Sequence, residues 1–264
     1  MIKKILKLII LIQNHGLKES IKILKKKVFI SPIPFISQRR TAFEDKIGLE
    51  LGGPSDIFKA NNLLPIYHIA KVIDGVNFSN STVWEGELNE GLNYNYYKNK
   101  NGYQFITDAT QLQNIESEKY DFILSSHNLE HIANPLKAIK EWLRVLKPNG
   151  YLLLVLPNKN FTFDHKRPIT NFENILSDFE NNIEENDLSH IDEILALHDL
   201  NKDPGISIYQ EFKNRSYKNF ENRCLHHHVF DENLLKEIFL YLNITTLAYE
   251  EAEPFNLIIF GQKN

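Results

Sequence analysis

Residues 120–157 read YDFILSSHNLEHIANPLKAIKEWLRVLKPNGYLLLVLP. Tyr120 to Ser126 is a short apolar run of strand length. From Pro135 to Leu146 the apolar residues Leu136, Ile139, Trp142, Leu143 and Leu146 recur at helical spacing. Lys147 to Gly150 is a turn signal, and Tyr151 to Leu156 is the most apolar strand of the chain, ended by Pro157. Working outward, Lys46 to Leu51 runs into Gly52-Gly53-Pro54-Ser55, Ala70 to Ile73 into Asp74-Gly75, and Tyr103 to Ile106 into Thr107-Asp108. Near the end, a helical pattern at Asn233 to Leu242 precedes strands at Ile244 to Tyr249 and Asn256 to Phe260. Alternating strands and helices predict an α/β fold with a mostly parallel sheet covered on both faces. Ligands of such sheets bind at the carboxyl ends of the strands.

About seventy residues between Pro157 and His228 lack a strong strand pattern; 158–228 is therefore read as a mainly helical insertion over that edge. Residues 1–40 form a separate N-terminal extension, and 41–264 the main domain. The extension carries Lys at 3, 4, 7, 18, 22, 25, 26 and 27. Its apolar runs are too short for a spanning helix, and Lys7 interrupts the core a secretion signal would need. Ile2, Ile5, Leu6, Ile9 and Ile12 fall at helical spacing. That stripe suits a helix packed on the domain or on a partner protein, or a basic helix on an anionic membrane surface. The expected location is the cytoplasm, at the inner face of the membrane if this helix binds lipid. The single Cys224 excludes a disulfide framework and a Cys-rich zinc site. A net charge of −4 argues against a nucleic-acid partner.

Neither G-x-G-x-x-G nor a phosphate-binding G-x-x-x-x-G-K-[ST] loop occurs. Glu50, in the strand before Gly52 and Gly53, suits a cationic ligand better than a diphosphate; an ordinary strand and turn would read the same. Asp74 after the second strand is placed to accept ribose hydroxyls, and Asp108 after the third to accept an adenine amine. Each is also a common cap or turn residue.

The stretches 50–55, 120–132 and 144–157 resemble class I S-adenosylmethionine-dependent methyltransferases of the type-11-like group. The resemblance covers about 44–160 plus the last thirty-five residues. It implies a Rossmann-like seven-stranded sheet of order 3-2-1-4-5-7-6 with strand seven antiparallel, and S-adenosylmethionine as cofactor. It places Glu50, Gly52 and Gly53 against the methionine moiety, Asp74 near the ribose and Asp108 with Ala109 at the adenine. Ser126 is counted with them. Pro54-Ser55 replaces the usual third glycine, and the connection 58–68 is longer than in the family pattern. Residues 163–170, 196–199 and 222–230 resemble a bacterial subgroup associated with surface-glycan genes.

Eight of the ten His fall at or after position 127, which directs attention to the insertion. His127 and His165 are the candidate catalytic bases. His226, His227 and His228 are assigned to acceptor binding. Arg167 and Arg223 either clamp an anionic acceptor or pair with the acidic helical segment. His127 to His131 also spells H-x-x-E-H, which resembles a metal-binding cluster of ubiquinone-pathway O-methyltransferases; metal-free relatives share Leu-Glu-His, and no metal is assigned. The expected activity is O-methylation of a saccharide or its phosphate-linked substituent in polysaccharide biosynthesis. A small-molecule or quinone-type O-methyltransferase, and a non-catalytic cofactor-binding member of a glycan-assembly complex, are the alternatives.

Overall fold

A computed structural model describes residues 31–203 and 205–264. The basic stripe at 2–12, and most of the proposed 1–40 extension with its docking role, lie outside the described residues.

In chain order the strands are β1 (Ile47–Leu51), β2 (Val72–Asn77), β3 (Ser81–Thr82), β4 (Gly86–Glu87), β5 (Gly91–Tyr97), β6 (Lys100–Ile106), β7 (Tyr120–Ser126), β8 (Leu146–Pro157), β9 (Ile244–Ala252) and β10 (Asn256–Lys263). The α-helices are α1 (Pro34–Gln38), α2 (Pro135–Val145), α3 (Phe172–Glu180), α4 (Ile191–Leu197), α5 (Tyr209–Tyr217), α6 (Asn219–Asn222) and α7 (Glu232–Tyr241). Eight strands form one mixed sheet in the order β5-β6-β2-β1-β7-β8-β10-β9, and β3-β4 is a separate hairpin. The expected sheet of seven is thus enlarged. The chain between β2 and β6 supplies β5, which pairs antiparallel with β6 at one edge. β10 runs antiparallel between β8 and β9.

Local chemistry explains the helix starts. Asn134 accepts from the Lys137 amide ahead of Pro135, Asn171 from the Asn174 amide, and Asp231 from the Leu234 amide. Helices α2, α3 and α7 bury Leu136, Trp142, Ile175, Leu235 and Ile238 on one face of the sheet. The other face departs from the expected helical cover. Among the described residues, no α-helix lies between β1 and β2 or between β2 and β6. Aromatics fill the gap: Phe35 and Tyr151 stack on Phe260 at 5.5 and 5.4 Å, and Phe43 meets Phe122 edge-on at 5.2 Å. Phe58 and Tyr67, from the irregular 56–70 connection, are fully buried there.

The second strand is longer than the apolar run suggests, which moves its end. Asp74 pairs with Leu49 in the body of the sheet, and the strand closes at Asn77. Gly75 is strand-internal, covered by the ring of Tyr94. Close packing also fixes Gly102 of β6, where a Cβ would fall 1.8 Å from the carbonyl oxygen of Ile73. Gly102→Ala must therefore push β6 from β2. A loss of about 1–3 kcal/mol, the usual cost of overpacking, is expected in urea denaturation; unchanged stability would contradict this register.

Candidate active site

A cavity of about 400 Å³ opens at the carboxyl edge of β1, β2, β6 and β7. Gly52 lines it with φ +76°, and a Cβ there would lie 2.6 Å from Asn128 Oδ1. Only glycine lets the loop after β1 approach the loop after β7 so closely. Asn77, at the end of β2, donates to the Gly53 carbonyl at 3.2 Å, across the cavity floor. Asp108 accepts from the Thr110 amide at 2.8 Å and from Arg223 Nη2 at 3.0 Å. Ala109 lines the wall, its carbonyl held at 2.8 Å by the indole N–H of Trp142. Ser126 lies at the end of β7, on the same wall.

Two of the acids take other places. Glu50 is fully buried beneath the loop and does not line the cavity. It accepts from the hydroxyls of Tyr67 at 2.7 Å and Tyr94 at 2.6 Å, and from the Ser55 amide at 3.0 Å. Burial raises its pKa against the pull of these donors. Glu50 thus shapes the loop, and with it Gly53, instead of facing the cavity. Asp74 lies three residues before the end of β2, roughly 10 Å short of the edge. Its oxygens accept from the Tyr103 amide at 2.9 Å and the Tyr120 hydroxyl at 2.8 Å, and Lys119 lies at 3.2 Å. Asn77, which the apolar run 70–73 hid, takes the strand-end position expected of Asp74.

The insertion closes the cavity from above. His127 lines it in the left-handed region, φ 49°, a strained conformation for a non-glycine residue at a strand end. Its Nε2 donates to Asn256 Oδ1 at 2.9 Å, which leaves Nδ1 to accept. His226 also lines the cavity, with Nδ1 2.5 Å from Asp164 Oδ2. Burial opposes charge on Asp164, but His226 and Arg167 outweigh it and hold the carboxyl at about 2; the same pairing raises His226 despite its burial.

Most of the remaining candidates lie off the cavity lining. His165 points away, to Asp199 Oδ2 at 2.8 Å. His227 is buried against Asn219, and His228 against the Ala133 carbonyl at 3.1 Å. Arg167 is no acceptor clamp, since it is 1% exposed and fully engaged. It donates to Glu193, Asp164 and the carbonyls of His226 and His227 at 2.8–3.1 Å. Arg223 does reach the cavity, paired with Asp108 and, at 2.6 Å, with Glu185. Trp84, Glu85 and Glu185 line it too. Nothing in their local sequence marks them, because the hairpin and the insertion bring them in from a distance.

Residues 75–154 match the family model described as a methyltransferase domain. Among curated proteins none matches. The chain is similar to solved structures of S-adenosylmethionine-dependent methyltransferases from Methanosarcina mazei (19% identity, 89% of this chain and 99% of that one, TM-score 0.47) and Aquifex aeolicus (13%, 93% and 98%, TM-score 0.46). A protein from Listeria monocytogenes titled a putative methyltransferase of this kind is similar at 17% identity, over 87% and 97% of the chains, with TM-score 0.48. Over residues 75–154 the chain is thus similar to a methyltransferase domain. The residues present would fit S-adenosylmethionine, the cofactor that the sequence resemblance implies: a glycine-narrowed loop, a polar amide at the end of β2, and an acid with Ala109 at the end of β6.

Two outcomes follow for the insertion. Arg167→Ala strips buried Asp164 of its guanidinium partner, which costs about 3–5 kcal/mol in urea denaturation; unchanged stability with weaker acceptor binding would restore the clamp reading. Burial pushes the Glu185 carboxyl up to about 7, although Arg223 pulls it down. Between the ordinary carboxyl range and about 7 the folded protein therefore holds a proton that the unfolded chain has released. Stability contributed by this proton falls as pH rises through that window. Glu185→Gln should flatten this slope in melts taken at pH 5 and pH 7.5; an unchanged slope would show that Glu185 is not its source.

Proposed function

We propose that the enzyme methylates a hydroxyl oxygen of a saccharide in surface-glycan biosynthesis. The observation that carries this reading is the acceptor side of the cavity, where histidines stand beside an aromatic platform. His127, His131 and His226 line it together with Trp84 and Phe163. Trp84 is 54% exposed, with its ring 5.2 Å from that of His131, the kind of face on which a sugar ring packs. The charge balance favours a sugar hydroxyl over a phosphate-linked group. Among the described lining residues, Glu85, Asp108, Glu130 and Glu185 stand against Arg223, which is already doubly paired.

When bound, S-adenosylmethionine supplies a methyl group on a cationic sulfur, an electrophile that needs alignment more than activation. The chain's own residues do the rest. The acidic lining suits the cation. His127 takes the hydroxyl proton at Nδ1, with its ring fixed by Asn256. Trp84 and Phe163 fix the plane of the acceptor.

The test is a panel of nucleotide sugars and glycan fragments incubated with isotopically labelled cofactor and read by mass. A methyl ether on a sugar hydroxyl is expected. His127→Ala should lower turnover by about 10²–10⁴-fold while S-adenosylhomocysteine affinity by calorimetry stays the same. Methylation of nitrogen or sulfur acceptors only, or full turnover in the variant, would overturn the reading.

A further inference from the structure

We infer that Glu130, His131 and His226 form a site for one divalent transition-metal ion in the wall of this cavity. One potential ligand atom from each of the three lies within 4.8 Å of the others. Glu130 is 1% exposed, and neither of its carboxylate oxygens has a hydrogen-bond partner. A buried carboxylate left so is costly and rare. His127 Nδ1 is 3.8 Å from Glu130 Oε1, beyond hydrogen-bonding distance.

The two imidazoles are held as metal ligands are held. His131 donates from Nδ1 to the Leu225 carbonyl at 3.0 Å. His226 uses Nδ1 on Asp164, which Arg167 fixes at 3.1 Å. An outward hydrogen bond from one ring nitrogen to a carbonyl or carboxylate sets the tautomer and leaves the other as a lone-pair donor. In both residues that other nitrogen is Nε2. The rings meet edge-on, with centroids 4.6 Å apart. With both imidazoles neutral, as ligation requires, three electron-pair donors converge, an arrangement that a cation completes. The site is empty.

The donor set selects the ion. Two imidazoles and one carboxylate suit zinc and its first-row neighbours; magnesium and calcium require oxygen ligands. Three protein ligands leave a position open, and all three residues line the cavity. An acceptor hydroxyl can occupy it beside the transferred methyl group. That last placement rests on the methyltransferase reading above; the ion site does not. A second cluster, Asp178, His190 and His228, lies outside this cavity and serves as an internal control.

The experiment uses the full chain stripped with a chelator and titrated with Co²⁺, followed by its visible absorption and by mass spectrometry for bound ion, without cofactor. One equivalent of Co²⁺, displaced by Zn²⁺, is expected. Glu130→Gln and His226→Asn should weaken binding by at least tenfold, and Asp164→Asn by about 10–100-fold, while His190→Asn changes nothing. Absence of Co²⁺ binding by the unsubstituted protein overturns the site whether or not the variants fold. So does binding that survives Glu130→Gln or is lost in His190→Asn. S-adenosylhomocysteine affinity, measured separately, separates failure of this site from failure of the methyltransferase reading.

Discussion

Arg167 donates to Asp164, to the carbonyls of His226 and His227, and to Glu193, and so ties the start of the insertion to its end and to α4. The insertion is a long excursion from the sheet, and closing it is entropically costly. One guanidinium with four partners fixes where both ends return. His226 can face the cavity because its own carbonyl and its Nδ1 are held from behind. A planar fork of donors suits this task, which an ammonium could not perform in the same geometry. The buried charge is balanced by Asp164, whose carboxylate serves the arginine and the imidazole together.

The same economy governs the first loop. Glu50 supports Ser55 and two tyrosine hydroxyls, and so holds the chain from Gly52 to Ser55 in place without touching the cavity. No regular helix follows β1, so the loop cannot be fixed by a helix N-terminus. Side-chain hydrogen bonds replace it. The tyrosines come from the 56–70 connection and from β5, the parts of the chain that depart furthest from a plain alternation of strands and helices.

The sheet was legible where apolar runs are continuous. β7, α2 and the apolar core of β8 read directly, because a buried parallel strand and an amphipathic helix have distinct periods. β2 reads short at its end because Asp74-Gly75 looks like a turn, yet Gly75 is required beneath Tyr94. That misplaced Asp74 and concealed Asn77. The strand β5 (GLNYNYY) is polar and carries no apolar run to mark it, since its inward tyrosines bury rings while its other positions face water. In the candidate site, Gly52, Asp108, Ala109, Ser126, His127, Arg223 and His226 line one cavity, whereas Arg167, His165, His227 and His228 do not. Sequence marks a histidine or arginine as capable of chemistry, but the direction of its side chain depends on partners many residues away. Glu185 and Trp84 carry no local mark at all.

Tyr94 belongs to the outermost strand, and its hydroxyl reaches Glu50 in β1, three strands further in. Edge strands are ordinarily the first part of a sheet to open, as small units largely independent of the centre. Here the edge cannot leave without withdrawing a hydrogen bond from a buried carboxylate. The opening of β5 therefore carries the cost of disturbing the loop at the end of β1. Fraying at the rim and loosening of the cavity floor become a single cooperative event, and the tightness of one edge of the molecule sets the lifetime of the pocket at its middle.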